Sequence, residues 1–260
     1  MEKITSFQNA LVKKVQALRE ARERREQGMT VIDGAREIQR AKHAGINFER
    51  LFYVKGQQDS LVQQLREDKI ECLEVSSQVM EKLVYGERHD GIVAVIKVPD
   101  QSLKDLKLSK EPLVVVLESL EKPGNLGAVL RTCDGVGVEA VLVCDPKTDA
   151  YNPNVIRSST GMIFSIPVVC AGASEISMYL KTRKIKICAS GPAAKKIYTQ
   201  MDFKGPWAIV LGSEDKGLTD YWLRQADTTI KIPMNGLADS LNVSISAAII
   251  LYEALRQRQI

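Results

Sequence analysis

The sequence predicts an α/β protein in two parts, a small α/β front domain and a larger domain built on a parallel sheet. Three observations predict it. After residue 112, six short apolar runs alternate with helical segments. Several of these runs are almost uninterrupted, as strands are when helices cover both faces of a sheet. Ahead of them, a β-branched run from Gly91 to Val98 stops at Pro99, and the polar, lysine-bearing stretch from Asp100 to Pro112 reads as a linker. The domains are accordingly expected at residues 1–108 and 109–260.

In chain order, Gln8 to Arg25 reads as one helix. Thr5-Ser6-Phe7-Gln8 fits a capping box, and Leu11, Val12, Val15 and Leu18 form one apolar stripe. The first 25 residues carry 7 basic and 3 acidic side chains. Lys13, Lys14, Arg19, Arg22, Arg24 and Arg25 are either a solvated face, paired as in Glu20–Arg24, or an arm that contacts phosphate. A helix follows from Ala35 to Ala44, a strand from Leu51 to Val54, and helices from Leu61 to Arg66 and Val79 to Val84. In the second part, strands are expected at 113–117, 140–144, 166–170, 185–189, 207–211 and 228–232. The last segment, Val243 to Arg258, is a helix apolar around most of its circumference, which suits a core helix or a dimer interface.

Composition narrows the function. The 260 residues include 36 Lys and Arg against 32 Asp and Glu, a formal charge of +4. Hydrophobic content of 45% and charged content of 26% are ordinary for a folded protein and exclude a disordered or collagen-like chain. No run approaches the ~20 apolar residues of a membrane span. Met1 to Ser6 lacks the apolar core of a signal peptide, so a cytoplasmic protein is expected. Cys72, Cys133, Cys144, Cys170 and Cys188 contain no zinc-type pair, and they read as reduced thiols, mostly of the core. With only His43 and His89, a histidine-based triad or metal site is disfavoured, and no metal is expected.

Familiar nucleotide and hydrolase signatures are missing. There is no G-x-x-x-x-G-K-[ST] loop. Gly135-Val136-Gly137 precedes a strand instead of following one, the wrong order for a dinucleotide fingerprint. Gly212-Ser213-Glu214 is not a nucleophile elbow.

Three segments at strand-to-loop transitions remain, where open α/β sheets bind ligands. In Glu118 to Arg131, a strand gives way to a Pro-Gly turn, Asn125 is placed to cap a helix, and Arg131 lies along that helix. In Ile209 to Leu218, an apolar strand runs into Gly212 and Glu214. In Ile232 to Ser244, a polar loop leads into the last helix, with Ser240 or Asn242 able to cap it. Taken one at a time, each could be no more than a cap, a turn or a tight bend.

Together, N-L-G-A-V-L-R-T (125–132), L-G-S-E-D-K-G-L (211–218) and I-P-M-x-G-x-x-x-S-L-N-V-S (232–244) resemble the three ordered motifs of the SpoU (TrmH-type) RNA ribose 2′-O-methyltransferases of the SPOUT superfamily. Asn152 to Gly161 is similar to that family's N-P-x-x-x-R-x-S-x-G segment. Ile4 to Asn9 and Gly91 to Val95 resemble its RNA substrate-binding domain. The resemblance implies a parallel sheet with helices on both faces and a deep trefoil knot that forms the S-adenosylmethionine site, usually in a homodimer. It implies that Val210, Leu211, Gly212, Ile232 and Leu241 contact the cofactor, and that Asn125, Arg131, Glu214, Ser240 and Asn242 are the catalytic positions. The chain departs from the family in having Glu118 and K-P-G-N where Asp and D-P-x-N are frequent.

The chemistry implied is attack of a ribose 2′-hydroxyl on a sulfonium methyl, which needs alignment more than a metal. A planar guanidinium suits the phosphate beside the target ribose. Because a guanidinium is almost never deprotonated in a protein, phosphate binding and hydroxyl orientation come before base catalysis as Arg131's role. Ribosomal RNA is the first substrate expected and transfer RNA the main rival. A catalytically silent RNA-binding or ribosome-assembly factor is the alternative, and an enzyme on an unknotted nucleotide-binding sheet is a third.

Overall fold

The structure is a computed structural model that describes residues 3–86, 90–146, 149–213 and 215–259. It divides into two compact units, one formed by Met1–Asp100 with Tyr151–Ser165 and the other by Gln101–Ala150 with Ile166–Ile260.

The first unit holds a four-stranded sheet in the order β1 (Met29–Asp33), β4 (Ile92–Lys97), β2 (Phe48–Tyr53), β3 (Cys72–Glu74). β4 pairs antiparallel with β1 and β2, and β3 pairs parallel with β2. Its helices are α1 (Ala10–Ala17), α2 (Ala21–Gln27), α3 (Ala35–His43), α4 (Asp59–Glu67) and α5 (Ser77–Leu83), joined by α7 (Pro153–Ser158) from later in the chain. Val12, Val15 and Leu18 pack with Phe52, Val79, Leu83, Val93 and Val95 into one core. The long amino-terminal helix expected from periodicity is broken in two. Arg24 is the cause: it is buried and donates at 2.8 Å to the carbonyls of Leu18 and Arg19, ending α1 where a continuous helix would need those groups. The cap is Asn9, which accepts from the Leu11 N–H, not the Thr5–Gln8 box. Arg19 is also occupied, donating to the carbonyls of Lys82 and Val84.

The second unit is a seven-stranded parallel sheet. Its order is β7 (Val168–Ala171), β6 (Ala140–Cys144), β5 (Leu113–Glu118), β10 (Trp207–Leu211), β8 (Lys186–Ser190), β11 (Thr228–Lys231), β9 (Lys196–Ile197). β5, β6 and β10 are buried along their whole length, which explains their unbroken apolar sequences. Alternate residues Val114, Val116, Ala208 and Val210 pack under α8 (Ala173–Thr182) and α9 (Asp220–Gln225), with Ile176, Leu180 and Trp222. Burial of each valine, isoleucine or leucine among them contributes roughly 1.5–3 kcal/mol. α6 (Pro123–Val136) and α10 (Val243–Arg258) pack against each other. They run side by side in the same direction: Asn125 meets Asn242 near their starts, and Gly135 approaches the Tyr252 hydroxyl ten residues further along each. α6 begins at Pro123, a favoured first helical residue, so Asn125 lies inside the first turn and is not the cap. Among the described residues, no helix is long and apolar enough to cross a membrane.

Candidate functional site: a cavity beyond three adjacent strands

β10, β8 and β11 are neighbours in the sheet. Parallel strands all deliver their carboxyl ends to the same edge, so the loops that leave these three must gather there. They enclose a cavity of about 620 Å³. Leu211, Gly212 and Ser213 enter it from the β10 loop, Ile232, Met234, Ser240 and Leu241 from the β11 loop, and Ser190 to Ala194 from the β8 loop.

The β10 loop is held by backbone geometry. The amide of Gly217 donates to the Ser213 carbonyl at 3.0 Å, closing a tight turn. A Cβ on Gly212 would lie 2.2 Å from the carbonyl carbon and oxygen of Gly217, so this position admits no side chain. The β11 loop ends in a cap: Asn242 Oδ1 accepts from the Ser244 N–H at 2.9 Å and starts α10. Its amide nitrogen donates to Asn125 Oδ1 at 3.2 Å. That bond joins the segment after β5 to the loop after β11, and the same loop carries Ser240 and Leu241 into the cavity.

Leu211, Gly212, Ile232, Leu241 and Ser240 thus share the cavity lining, and Asn125 and Asn242 touch each other beside it. Val210 stands apart. Neighbours on a strand face opposite sides, so with Leu211 at the cavity, Val210 turns into the core under α8 and α9. Arg131 is exposed on α6 and is absent from the lining. Glu214 lies outside the described residues.

Two contributions escaped the sequence. One is the Ser190–Ala194 turn, whose Gly191-Pro192 pair after an apolar strand was the available signal. The other is the pairing made by Glu118, which the sequence marks only as a departure from the family: buried at the end of β5, it accepts from the N–H and the hydroxyl of Thr219, both at 2.8 Å. Nothing in the local sequence pairs residues so far apart. Burial pushes the thiols of Cys144 and Cys188, in β6 and β8, up to about 12, so neither supplies a thiolate near neutral pH. Among the described residues, no group of His, Cys, Asp and Glu is arranged to hold a metal ion.

Comparison with known proteins agrees with this architecture. Residues 9–94 match an MRM3-like substrate-binding domain. A 23S rRNA (uridine(2479)-2′-O)-methyltransferase of Streptomyces viridochromogenes is 31% identical, with 98% of this chain and 92% of that protein aligned. A crystal structure of an RNA 2′-O ribose methyltransferase is 42% identical, covers 100% of both chains and superposes with a TM-score of 0.86. The methyltransferase AviRb from S. viridochromogenes, solved in complex with AdoMet, gives a TM-score of 0.91 at 29% identity over 97% of this chain and 99% of its own. Residues 112–252, more than half of the chain, match the SpoU rRNA methylase family model, and the chain belongs to that family.

Proposed function

We propose that the protein is an RNA 2′-O-ribose methyltransferase that transfers a methyl group from S-adenosylmethionine to a ribose 2′-hydroxyl of ribosomal RNA. The observation that carries the proposal is the meeting of three sequence motifs at one sheet edge: the second and third line one cavity, and the third is bonded to the first through Asn242 and Asn125. The cavity fits the cofactor in size and chemistry. Leu211, Ile232 and Leu241 offer apolar walls for a purine, and Ser190, Thr229, Asp239 and Ser240 offer polar partners for hydroxyl and amino groups. S-adenosylmethionine supplies a methyl group already activated by a sulfonium charge.

The chain's own residues then bind and orient. Gly212 keeps the β10 loop close to its strand and leaves room at the cavity wall. Asn125 and Asn242 brace each other and fix the entrances of α6 and α10. Arg131, exposed and charged, holds the phosphate next to the target ribose and aligns the hydroxyl. Ser240 lines the cavity, and Glu214 carries the role its place in the second motif implies, orienting a donor. The front domain, at residues 1–108 in this reading, grips the RNA, with Lys13, Lys14 and Arg25 exposed for phosphate, while Arg22 is paired with Glu26 at 2.7 Å.

The enzyme works as a homodimer in the cytoplasm in this reading. Support for the dimer comes from α10, where Ile245 and Tyr252 are 50% and 54% exposed and lie seven residues apart on one face. Beside them, α6 presents the small residues Gly124, Ala128 and Gly135 together with Arg131. A partner seated there would cover the apolar stripe and bring a second Arg131 into the interface. The strand order β5-β10-β8-β11, out of sequence, supports reading the 212–218 and 232–242 loops as parts of a trefoil knot.

The test is transfer of label from methyl-labelled cofactor to total RNA of a strain lacking the gene, followed by nucleotide mapping. Label on a ribose of ribosomal RNA is expected. Label on a base, or none with intact cofactor binding, overturns the reaction.

A further inference from the structure

Both ends of the β10 loop close on the last turn of one neighbouring strand. Its entrance follows Leu211, which pairs with Leu117 of β5. Its exit is Thr219, whose N–H and hydroxyl both donate to the carboxylate of Glu118, the next residue of β5. Glu118 is 3% exposed while Thr219 lies at the surface, so the carboxylate is withdrawn from water and each of its oxygens has its own donor. Thr219 is also the residue before α9, where a threonine hydroxyl ordinarily accepts from the helix's first N–H groups. Here it makes no such cap, because its hydroxyl is turned to Glu118. Beyond Glu118 the same strand turns through Ser119, at φ +54°, into α6 with Asn125 and Arg131.

We infer that Glu118 is a positioning residue for the methyl transfer: its carboxylate clamps Thr219, and through it sets the 212–218 loop that walls the cofactor cavity against the segment carrying Asn125 and Arg131. It touches neither cofactor nor RNA. The clamp rests on reading the cavity as the S-adenosylmethionine site. A carboxylate suits the task because it accepts twice and donates nothing.

The experiment is titration calorimetry of the full-length protein with S-adenosylmethionine, alongside steady-state kinetics on ribosomal RNA, for wild type, Glu118→Ala, Glu118→Gln and Thr219→Val. The Kd for the cofactor is expected to rise about tenfold in Glu118→Ala and about threefold in Thr219→Val, from the loss of hydrogen bonds to a buried charged group. The KM for RNA stays at the wild-type value. Glu118→Gln recovers most of the affinity, because its amide oxygen accepts the Thr219 N–H while its amide nitrogen donates to the hydroxyl. A Glu118→Ala protein that is folded, with a lowered Tm but wild-type cofactor affinity, overturns the clamp. If that variant does not fold, wild-type affinity in Thr219→Val overturns it. Wild-type protein that binds no S-adenosylmethionine overturns the reading of the cavity instead, and is told apart by that control.

Discussion

Two asparagines in this chain do the same local job to different ends. Asn152 and Asn242 have nearly equal backbone angles, φ −57°, ψ 135° and φ −52°, ψ 140°. Each accepts from the N–H two residues on and starts a helix. Beyond the cap they diverge. Around Asn152, the polar groups end on protein partners inside the first unit. Arg157 lies 3.7 Å from the buried carboxylate of Asp33, whose pKa burial pushes up. Arg40 donates to the carbonyl of Thr160 and, at 2.8 Å, to its hydroxyl. Ser159 is fully buried and bonded to the Ile156 carbonyl. Around Asn242, Ser240 and Leu241 face a cavity of about 620 Å³, and the Asn242 amide reaches across to Asn125. A shared cap motif therefore says where a helix starts. Whether its neighbours serve packing or chemistry depends on what fills the space in front of them.

Substitutions in the two regions should separate chemistry from packing, with the largest effect at Gly212. Gly212→Ala puts a Cβ into the backbone of Gly217 and Leu218. The strain should cost about 3 kcal/mol, roughly a hundredfold in cofactor affinity, read by calorimetry. Cofactor affinity at the wild-type level would show that the cavity does not need the tight turn. Arg131→Ala should come next, lowering kcat on RNA by about a hundredfold through loss of a charge-assisted phosphate contact of about 2–3 kcal/mol. Its cofactor Kd should not move, and full activity would remove the arginine from the mechanism.

Gly161→Ala tests the packing side. Gly161 has φ +83° and its added Cβ would sit 3.2 Å from the Glu37 Cα. The variant should lose about 1–2 kcal/mol of stability in thermal unfolding, with cofactor affinity unchanged. A matching loss of cofactor affinity would mean that the 152–161 segment belongs to the site after all. The smallest effect is expected outside both regions, at Glu253 on α10. Hydrogen bonds from Arg256 and Gln257 lower its carboxyl pKa from the usual 4.5 to about 2. A depressed folded pKa stabilises above the unfolded value, and that stability fades as pH falls from 4.5 through 2. Because the pair is solvent-screened, Glu253→Gln should remove less than about 1 kcal/mol of acid-sensitive stability, measured as Tm between those limits.

Much of the second unit was legible beforehand. Strands 140–144 and 207–211 and helix 243–258 coincide with their expected bounds, because continuous burial leaves a continuous apolar signature. The strands Met29–Asp33 and Cys72–Glu74 were not foreseen, being short and mixed in polarity. The split between α1 and α2 was equally hidden, since it depends on a buried Arg24 that local spacing placed at the surface. Segment 151–165 carries the pattern of the second half of the chain yet packs with the first unit.

Sequence alone determined the alternation of strands and helices and the three motifs that mark the family, because periodicity and turn chemistry act over a few residues. Only the tertiary structure decided that Val210 faces away from the cavity Leu211 lines, that Asn125 meets Asn242 from 117 positions away, and that Glu118 holds Thr219 across 101. Such pairings arise where parallel strands distant in the chain end side by side, and no local pattern of residues encodes which ends those will be.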